Sequence, residues 1–333
     1  MPNDLSWYLA IGKANVMKNK TYFAIIGAVI LIVIIAAIAM IASNQNSASP
    51  GNNSAVTGNK TIQVIAAENF WGSLVSQIGG THVQVLSIVS DPNADPHEYE
   101  SNTQTAMAVA NADYIIVNGA GYDDWATKLI GAGVKPDCKV LNVANLLGKK
   151  NGDNPHFWYS PDYVNQTVKQ MELDLISIDP TNASYYEQNY ANLELSLEPY
   201  QNRIAEIKQH YNGTQVAATE SVFQYLANAS GLDLVSPLAF TQAVSEGNDP
   251  SAQSVVEFEG QLNSKNVSLL VYNQQTITPI TENMKSMAVQ DGIPVVGITE
   301  TIQPPGVSFQ DWMNSELISI QDALSSTKTS GSQ

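Results

Sequence analysis

The apolar positions of the chain fall into three regimes. Residues 23–42 form an unbroken apolar run of twenty residues without a charge, FAIIGAVILIVIIAAIAMIA. At about 1.5 Å per residue such a helix spans roughly the 30 Å of a bilayer core, which predicts a transmembrane anchor over 23–42. Lys13, Lys18 and Lys20 precede the run, so residues 1–22 are expected in the cytoplasm and the remainder outside the cell membrane, which the chain crosses once. The run is longer than the apolar stretch of a typical cleaved signal peptide, which favours an anchor that stays attached. Residues 43–60, SNQNSASPGNNSAVTGNK, have almost no apolar content and read as a flexible linker.

From Thr61 onward, short apolar runs alternate with stretches of helical period. Residues 62–67, 83–88, 114–118 and 139–143 read as buried strands, with helices at 70–79, 103–110 and 123–131 between them. This βαβ alternation implies a parallel sheet with helices on its faces. A long helical segment follows. Asp179-Pro180 supplies a start, Asn212-Gly213 an end, and Tyr186, Tyr190, Leu193, Leu197, Tyr200, Ile204, Ile207 and Tyr211 recur every three or four residues between them. Pro199 inside the segment should kink it. The first pattern then returns, with strands at 215–219, 233–235, 268–272 and 294–298, helices at 221–230, 252–263 and 278–290, and a last amphipathic helix at 309–324. The fold class is therefore α/β: two Rossmann-like lobes with four-stranded parallel sheets, 61–178 and 213–325, joined by one long rigid helix over 179–212. Residues 326–333 read as a disordered tail.

Composition narrows the function. The net charge is −16, and past the apolar run twelve Lys/Arg stand against thirty Asp/Glu, so nucleic acid is excluded as a partner. Seven Asn-x-Ser/Thr sequons follow the run, at Asn52, Asn59, Asn165, Asn182, Asn212, Asn228 and Asn266, in keeping with an exported domain. Cys138 is the only cysteine, so neither an intrachain disulfide nor a cysteine-based metal cluster can form. Any metal site must be built from imidazoles and carboxylates.

Two of the four histidines share a setting. Asp95-Pro96-His97-Glu98-Tyr99 is echoed by Asn154-Pro155-His156-Phe157-Trp158: a polar residue, Pro-His, then an aromatic two residues on. Proline fixes its own φ and restricts the preceding residue, so the backbone entering each imidazole is stiff. In open α/β sheets ligands bind outside the carboxyl ends of the strands. His97 follows the second predicted strand, His156 the fourth, Glu220 the first strand of the second half, and Glu300 the last. Two imidazoles from one lobe facing two carboxylates from the other would suit a divalent transition metal. Each residue also has a plainer role. A lone Pro-His is most often a loop residue, Glu220 can cap the helix it precedes, and Glu300 can be a solvated loop acid. His82 precedes a strand and His210 ends the long helix, so both are left out. No Gly-x-Ser-x-Gly elbow, phosphate-binding loop or Gly-x-Gly-x-x-Gly motif is present. Two other classes stay open on the residues alone: an exported metal-dependent hydrolase, and a cell-surface adhesion or interaction protein on the same scaffold.

These segments resemble the metal-binding substrate-binding proteins of ABC transporters for zinc and manganese. The marks are VIAAENFWGSLVSQIGG, DPNADPHEYE, NPHFWYSPD, ATESVFQYLANASGL and PVVGITETIQPPGVSFQDWM, and the likeness covers about 62–324. It implies a protein that captures a metal ion outside the membrane and hands it to a permease; the receptor is expected to be a monomer with no catalysis of its own. It assigns metal ligation to His97, His156, Glu220 and Glu300. Glu300 stands where the family usually has Asp, the lipid-bearing cysteine is replaced by the apolar run, and the His-rich loop of many zinc members is absent. Two imidazoles with two carboxylates resemble the manganese-type set, while zinc binds such sites more tightly by intrinsic affinity. Zn²⁺, Mn²⁺ and Fe²⁺ are all candidate cargoes.

Overall fold

The computed structural model describes residues 61–93 and 96–330. The predicted anchor at 23–42, the segment 1–22 and the linker 43–60 lie outside these residues, as do 94, 95 and 331–333. Among the described residues no helix is long and apolar enough to cross a membrane.

The first lobe runs β1 (Ile62–Glu68), α1 (Asn69–Gly79), β2 (Val83–Val89), α2 (Thr103–Ala110), β3 (Tyr114–Val117), α3 (Asp124–Ala132), β4 (Lys139–Asn142) and α4 (Val143–Leu146). Its strands are all parallel in the order β2-β1-β3-β4. The central β1 is buried at every position but one, as expected for a parallel strand covered on both faces. Two helices follow, α5 (Pro161–Ile178) and the long α6 (Ala183–Tyr211). The second lobe runs β5 (Gln215–Ala218), α7 (Gln224–Ala229), β6 (Asp233–Leu234), α8 (Leu238–Ser245), α9 (Ala252–Asn263), β7 (Leu270–Asn273), α10 (Pro279–Gln290), β8 (Val295–Ile298) and α11 (Phe309–Ser330). Its parallel order, β6-β5-β7-β8, repeats that of the first lobe.

All eight expected strands form, but the helices differ from expectation in several places. The first is α5, which has no counterpart in the sequence reading. Val164, Val168, Met171 and Leu175 give it a helical stripe, but Thr167, Glu172 and Asp174 are buried on the same side and blur that stripe. Each has a partner. Thr167 Oγ1 donates to the Tyr163 carbonyl at 2.8 Å, Glu172 meets Lys169, and Asp174 accepts from Tyr114 Oη at 2.9 Å. The second difference is at the start of α6. Asp179 does not cap it; its carboxylate instead accepts from Tyr186 Oη (2.9 Å) and Asn182 Nδ2 (2.7 Å), and a 3₁₀ turn at Pro180–Asn182 precedes the helix. Finally, α11 continues to Ser330, into the stretch expected to be a disordered tail. The short α4 and α8 are also unexpected: α4 opens on Val143, read as the end of a strand, and α8 lies in a stretch read as loop.

Helix α6 carries its buried stripe as the spacing predicts: Tyr186, Leu193, Leu197, Tyr200, Ile204 and Ile207. It runs unbroken through Pro199, which is exposed. A helix-interior proline costs about 3 kcal/mol, whereas each fully buried aliphatic side chain returns roughly 1.5–3 kcal/mol, so the seam outweighs the proline. The seam belongs to one cluster that includes Trp71, Trp158 and Tyr114 of the first lobe and Val216, Phe223 and Trp312 of the second. Arg203, the only arginine, reaches from α6 to Asn314 Oδ1 (2.7 Å) and Gln321 Oε1 (2.6 Å) on α11. Helix α11 also touches the first lobe, where the Phe309 amide donates to Ser73 Oγ at 3.1 Å. The spine is therefore a shared core element packed by both lobes.

Candidate metal centre

Both sheets present the carboxyl ends of their strands to one cleft, and the four predicted residues meet there. One ligand atom from each of His97, His156, Glu220 and Glu300 lies within 4.8 Å of every other. His156, Glu220 and Glu300 are fully buried, and the His97 side chain is 24% exposed. His97 Nε2 is 3.2 Å from Glu300 Oε2. His156 Nε2 is 3.6 Å from both Glu220 Oε1 and Glu300 Oε2, just beyond hydrogen-bond reach of either. A buried imidazole nitrogen aimed between two carboxylates, yet bonded to neither, is the arrangement a cation would complete.

Local structure sets each side chain. His97 rides on a 3₁₀ turn at Pro96–Glu98, and its ring meets Tyr122 edge-on at 4.9 Å between centroids. Tyr99 pins this turn, donating to or accepting from Thr105 Oγ1 at 2.8 Å and packing on Trp125. His156 follows a loop held at the end of β3: Asn118 Nδ2 donates to the Pro155 carbonyl at 2.8 Å, while Asn118 Oδ1 accepts from Trp71 Nε1 at 3.2 Å. The imidazole orientation is fixed by Asn154. Its Nδ2 donates to the Ser221 carbonyl (2.7 Å) and Gln224 Oε1 (3.0 Å), so its Oδ1 must be the acceptor facing His156 Nδ1 at 2.7 Å. The proton therefore sits on Nδ1 and the lone pair of Nε2 points into the cluster.

In the second lobe Glu220 occupies the N-cap position of a 3₁₀ turn at Ser221–Phe223, but it makes no side-chain capping bond. Its Oε2 instead accepts from Asn273 Nδ2 at 2.6 Å. Glu300 sits past β8, and its backbone amide donates to Gln275 Oε1 at 2.7 Å. Its Oε1 accepts from the same Asn273 Nδ2 at 2.5 Å, and its Oε2 from Tyr122 Oη of the first lobe at 2.7 Å. Tyr122 reaches this position through Gly119-Ala120-Gly121, three successive residues with φ of 77°, 56° and 90°. A Cβ at Gly119 would fall 2.5 Å from Asn142 Oδ1, so the turn requires glycine there.

Electrostatics agrees with a cation site. Burial pushes the His156 imidazole below its ordinary 6.5; Glu300 opposes this and His97 adds to it. Burial alone would raise Glu300, but the neighbouring His97 and His156 more than offset it and hold the carboxyl well below the usual range. Burial, then the charge of Glu300, raises Tyr122, which keeps its hydroxyl a donor. The pair Glu68 and Asp123 lies beside Tyr122. Burial followed by the charge of Asp123 pushes Glu68 well up, and burial lifts Asp123 to about 6. A cavity of about 540 Å³, lined by His97, Tyr122, Asn154, Gln224, Leu238 and Thr276, opens onto the cluster from between the lobes.

The two excluded histidines lie elsewhere. His82 packs on Tyr185 (4.6 Å) at the opposite strand edge, and His210 Nδ1 lies 2.8 Å from the Glu206 carbonyl at the end of α6. The sequence reading missed Tyr122, Asn154 and Asn273. One signal was available for Asn273: an asparagine ends or directly follows the third strand of each lobe, Asn118 in the first and Asn273 in the second, and both are buried.

Comparison with known proteins decides the family. The family model described as "Zinc-uptake complex component A periplasmic" matches residues 64–323. The chain belongs to this family. Among its relatives is the manganese ABC transporter substrate-binding lipoprotein PsaA of Streptococcus anginosus, 26% identical over 322 residues, covering 89% of this chain and 98% of PsaA. The iron ABC transporter substrate-binding lipoprotein MtsA of Streptococcus pyogenes serotype M1 is 26% identical over 298 residues, covering 80% of this chain and 92% of MtsA. The fold is shared with FpvC of Pseudomonas aeruginosa, solved with Mn²⁺, at a TM-score of 0.68, 19% identity and coverage of 80% of this chain and 100% of FpvC. A crystal structure of ZnuA superposes at a TM-score of 0.63, with 22% identity and coverage of 79% and 98%. The zinc-uptake family and these relatives are solute-binding proteins, and the chain is not an enzyme. PsaA carries manganese and MtsA iron in its name.

Proposed function

We propose that this member of the zinc-uptake family captures one divalent transition metal, Zn²⁺ or Mn²⁺ with Fe²⁺ as a third candidate, between its lobes and delivers it to the permease of an ABC transporter. The observation that carries the reading is the convergence of four donor atoms, two imidazole nitrogens and two carboxylate oxygens, within 4.8 Å at the inter-lobe cleft. His97, His156, Glu220 and Glu300 would hold the ion. Two neutral imidazoles and two carboxylates neutralise a divalent charge, and all four come from one chain, so a monomer suffices. The metal is cargo, and its release requires the lobes to part or a ligand to swing away.

Relatives such as PsaA are named lipoproteins. In this chain the sole cysteine, Cys138, is half-buried beside β4 and is no lipid anchor. The apolar run at 23–42 would replace the lipid as a single-pass tether, with the lobes outside the membrane and residues 43–60 as the leash. Tethering raises the effective concentration of receptor at its permease. The test is metal content by mass spectrometry of the full chain, purified in detergent without added metal, beside Glu220→Ala and Glu300→Ala. About one zinc, manganese or iron per chain, lost in both variants, is expected. No transition metal in the parent chain, together with no thermal shift on adding any, would overturn the reading.

A further inference from the structure

The amide of Asn273 joins the two carboxylates of the cluster. Asn273 ends β7, where it pairs with Ile298 of β8, and it is buried. Its Oδ1 accepts from the Gln275 amide at 2.9 Å, which fixes the amide so that Nδ2 faces the cluster. That nitrogen has two hydrogens. Its two shortest contacts are Glu300 Oε1 at 2.5 Å and Glu220 Oε2 at 2.6 Å, with Thr276 Oγ1 farther off at 3.1 Å. One oxygen of each carboxylate is thereby engaged away from the imidazoles. The other two, Glu220 Oε1 and Glu300 Oε2, are those that face His156 Nε2.

We propose that Asn273 sets the coordination number of the site, and through it which metals the protein holds. This rests on the reading of the cluster as a metal centre and turns on how many donors the cluster offers. The same rigid amide anchors one oxygen of each carboxylate on the side away from the imidazoles, which orients each carboxylate to offer a single oxygen to the cluster, so the protein would supply four donors. Four donors suit zinc, whose protein sites are most often tetrahedral; manganese prefers a larger, oxygen-rich shell. The donor types lean toward manganese, while the amide that limits them leans toward zinc. Asn273 is thus a positioning residue that works against bidentate binding. Removing its donors would let each carboxylate rotate and turn a second oxygen toward the cluster, so that the shell expands. Tyr122 acts differently, because its hydroxyl bonds the Glu300 oxygen that faces the imidazoles. Its loss should alter affinity without adding a donor.

The experiment compares the full chain in detergent with Asn273→Leu, which keeps side-chain size but donates nothing, and with Tyr122→Phe. Zinc and manganese affinities are measured by chelator competition, and zinc coordination by X-ray absorption. The expected result is four nitrogen and oxygen neighbours around zinc in the parent chain and in Tyr122→Phe. In Asn273→Leu, five or six neighbours and a shift of the zinc-to-manganese affinity ratio toward manganese by about 10-fold are expected. Five or six neighbours in the parent chain would overturn the proposal even if Asn273→Leu failed to fold. So would an unchanged ratio and coordination number in a folded Asn273→Leu. A parent chain that binds neither metal would sink the metal-centre reading itself and this proposal with it, which distinguishes the two failures.

Discussion

In the first lobe, β2 ends at Val89 and the ring of His97 arrives only on the later Pro96–Glu98 turn; β4 ends at Asn142 and His156 stands beyond a further helix and loop. In the second lobe, Glu220 and Glu300 stand almost at the ends of β5 and β8, at Ala218 and Ile298. The sheets have the same strand order, so the contrast lies in how far the chain travels past a strand before it offers a residue of the candidate metal centre. The carboxylates inherit the rigidity of the sheet and share the Asn273 amide. His97 sits on a surface turn, retains exposure and faces the cavity that leads outward. His156 is intermediate: its loop is long, but Asn118, Asn154 and the stacked pair Phe70 and Trp158, 4.0 Å apart, pack it into the core. Opening for metal exchange should therefore begin at His97.

The sharpest way to break this comparison is to remove one proposed ligand from each side. Loss of a partner outside the coordination shell typically weakens metal binding about 10- to 100-fold. Glu300→Ala removes a proposed ligand and the partner of Tyr122, Asn273 and His97, so a loss above about 100-fold is expected. His97→Ala leaves the other three residues packed, and a smaller loss with faster metal release is expected. Stopped-flow transfer to a chelator reads both. Equal effects would mean that His97 is as firmly embedded as the carboxylates.

A smaller effect tests how His156 is presented. Asn154→Ala removes the acceptor that keeps the proton on Nδ1, and about a 10-fold loss of affinity is expected. The pH profile follows from the direction of the shift. Burial lowers the His156 pKa below 6.5, so the imidazole is neutral at neutral pH and protons displace the metal only as pH falls below that value. Dissociation constants measured from pH 5 to 8 should be flat in the upper part and rise in the lower. A rise beginning well above pH 7 would show that burial does not control this ring.

Much of the molecule was legible from the chain because its signals are local. The period of α6, the apolar runs of the strands and the paired Pro-His settings are all written within a few residues of one another. What was missed is set by distance or by compensation. Tyr122 meets Glu300 from another lobe, and Asn154 acts through Ser221 and Gln224 of the opposite lobe. Nothing adjacent in sequence marks either residue. Helix α5 was hidden because Thr167, Glu172 and Asp174 are buried with partners, and a periodicity argument counts such residues as surface. Glu220 shows the reverse case: its position suits a helix cap, and only the direction of the side chain separates cap from cluster.

Glu316 offers the finest test of the rigidity of the second lobe. From α11 it accepts from the Thr299 amide (2.9 Å), Trp312 Nε1 (3.0 Å) and Tyr159 Oη of the first lobe (2.7 Å), so it ties the residue beside Glu300 to both lobes. Burial raises its pKa from 4.5 to about 7 despite these donors. A folded-state pKa above the unfolded value means that the native state holds the proton more tightly. The contribution to stability is then complete below about 4.5 and is lost as pH rises through about 7. Between pH 6 and 8 the unfolded carboxyl is ionised throughout, while the folded one gives up its proton over about one unit, so the loss is about 1.4 kcal/mol. Glu316→Gln keeps the shape and an acceptor but cannot ionise. Urea unfolding of the metal-free protein at pH 6 and pH 8 should show wild type losing about that much more stability than the variant across the interval. Equal losses would mean that Glu316 is already ionised in the folded protein at pH 6, and that its hydrogen-bond donors outweigh its burial.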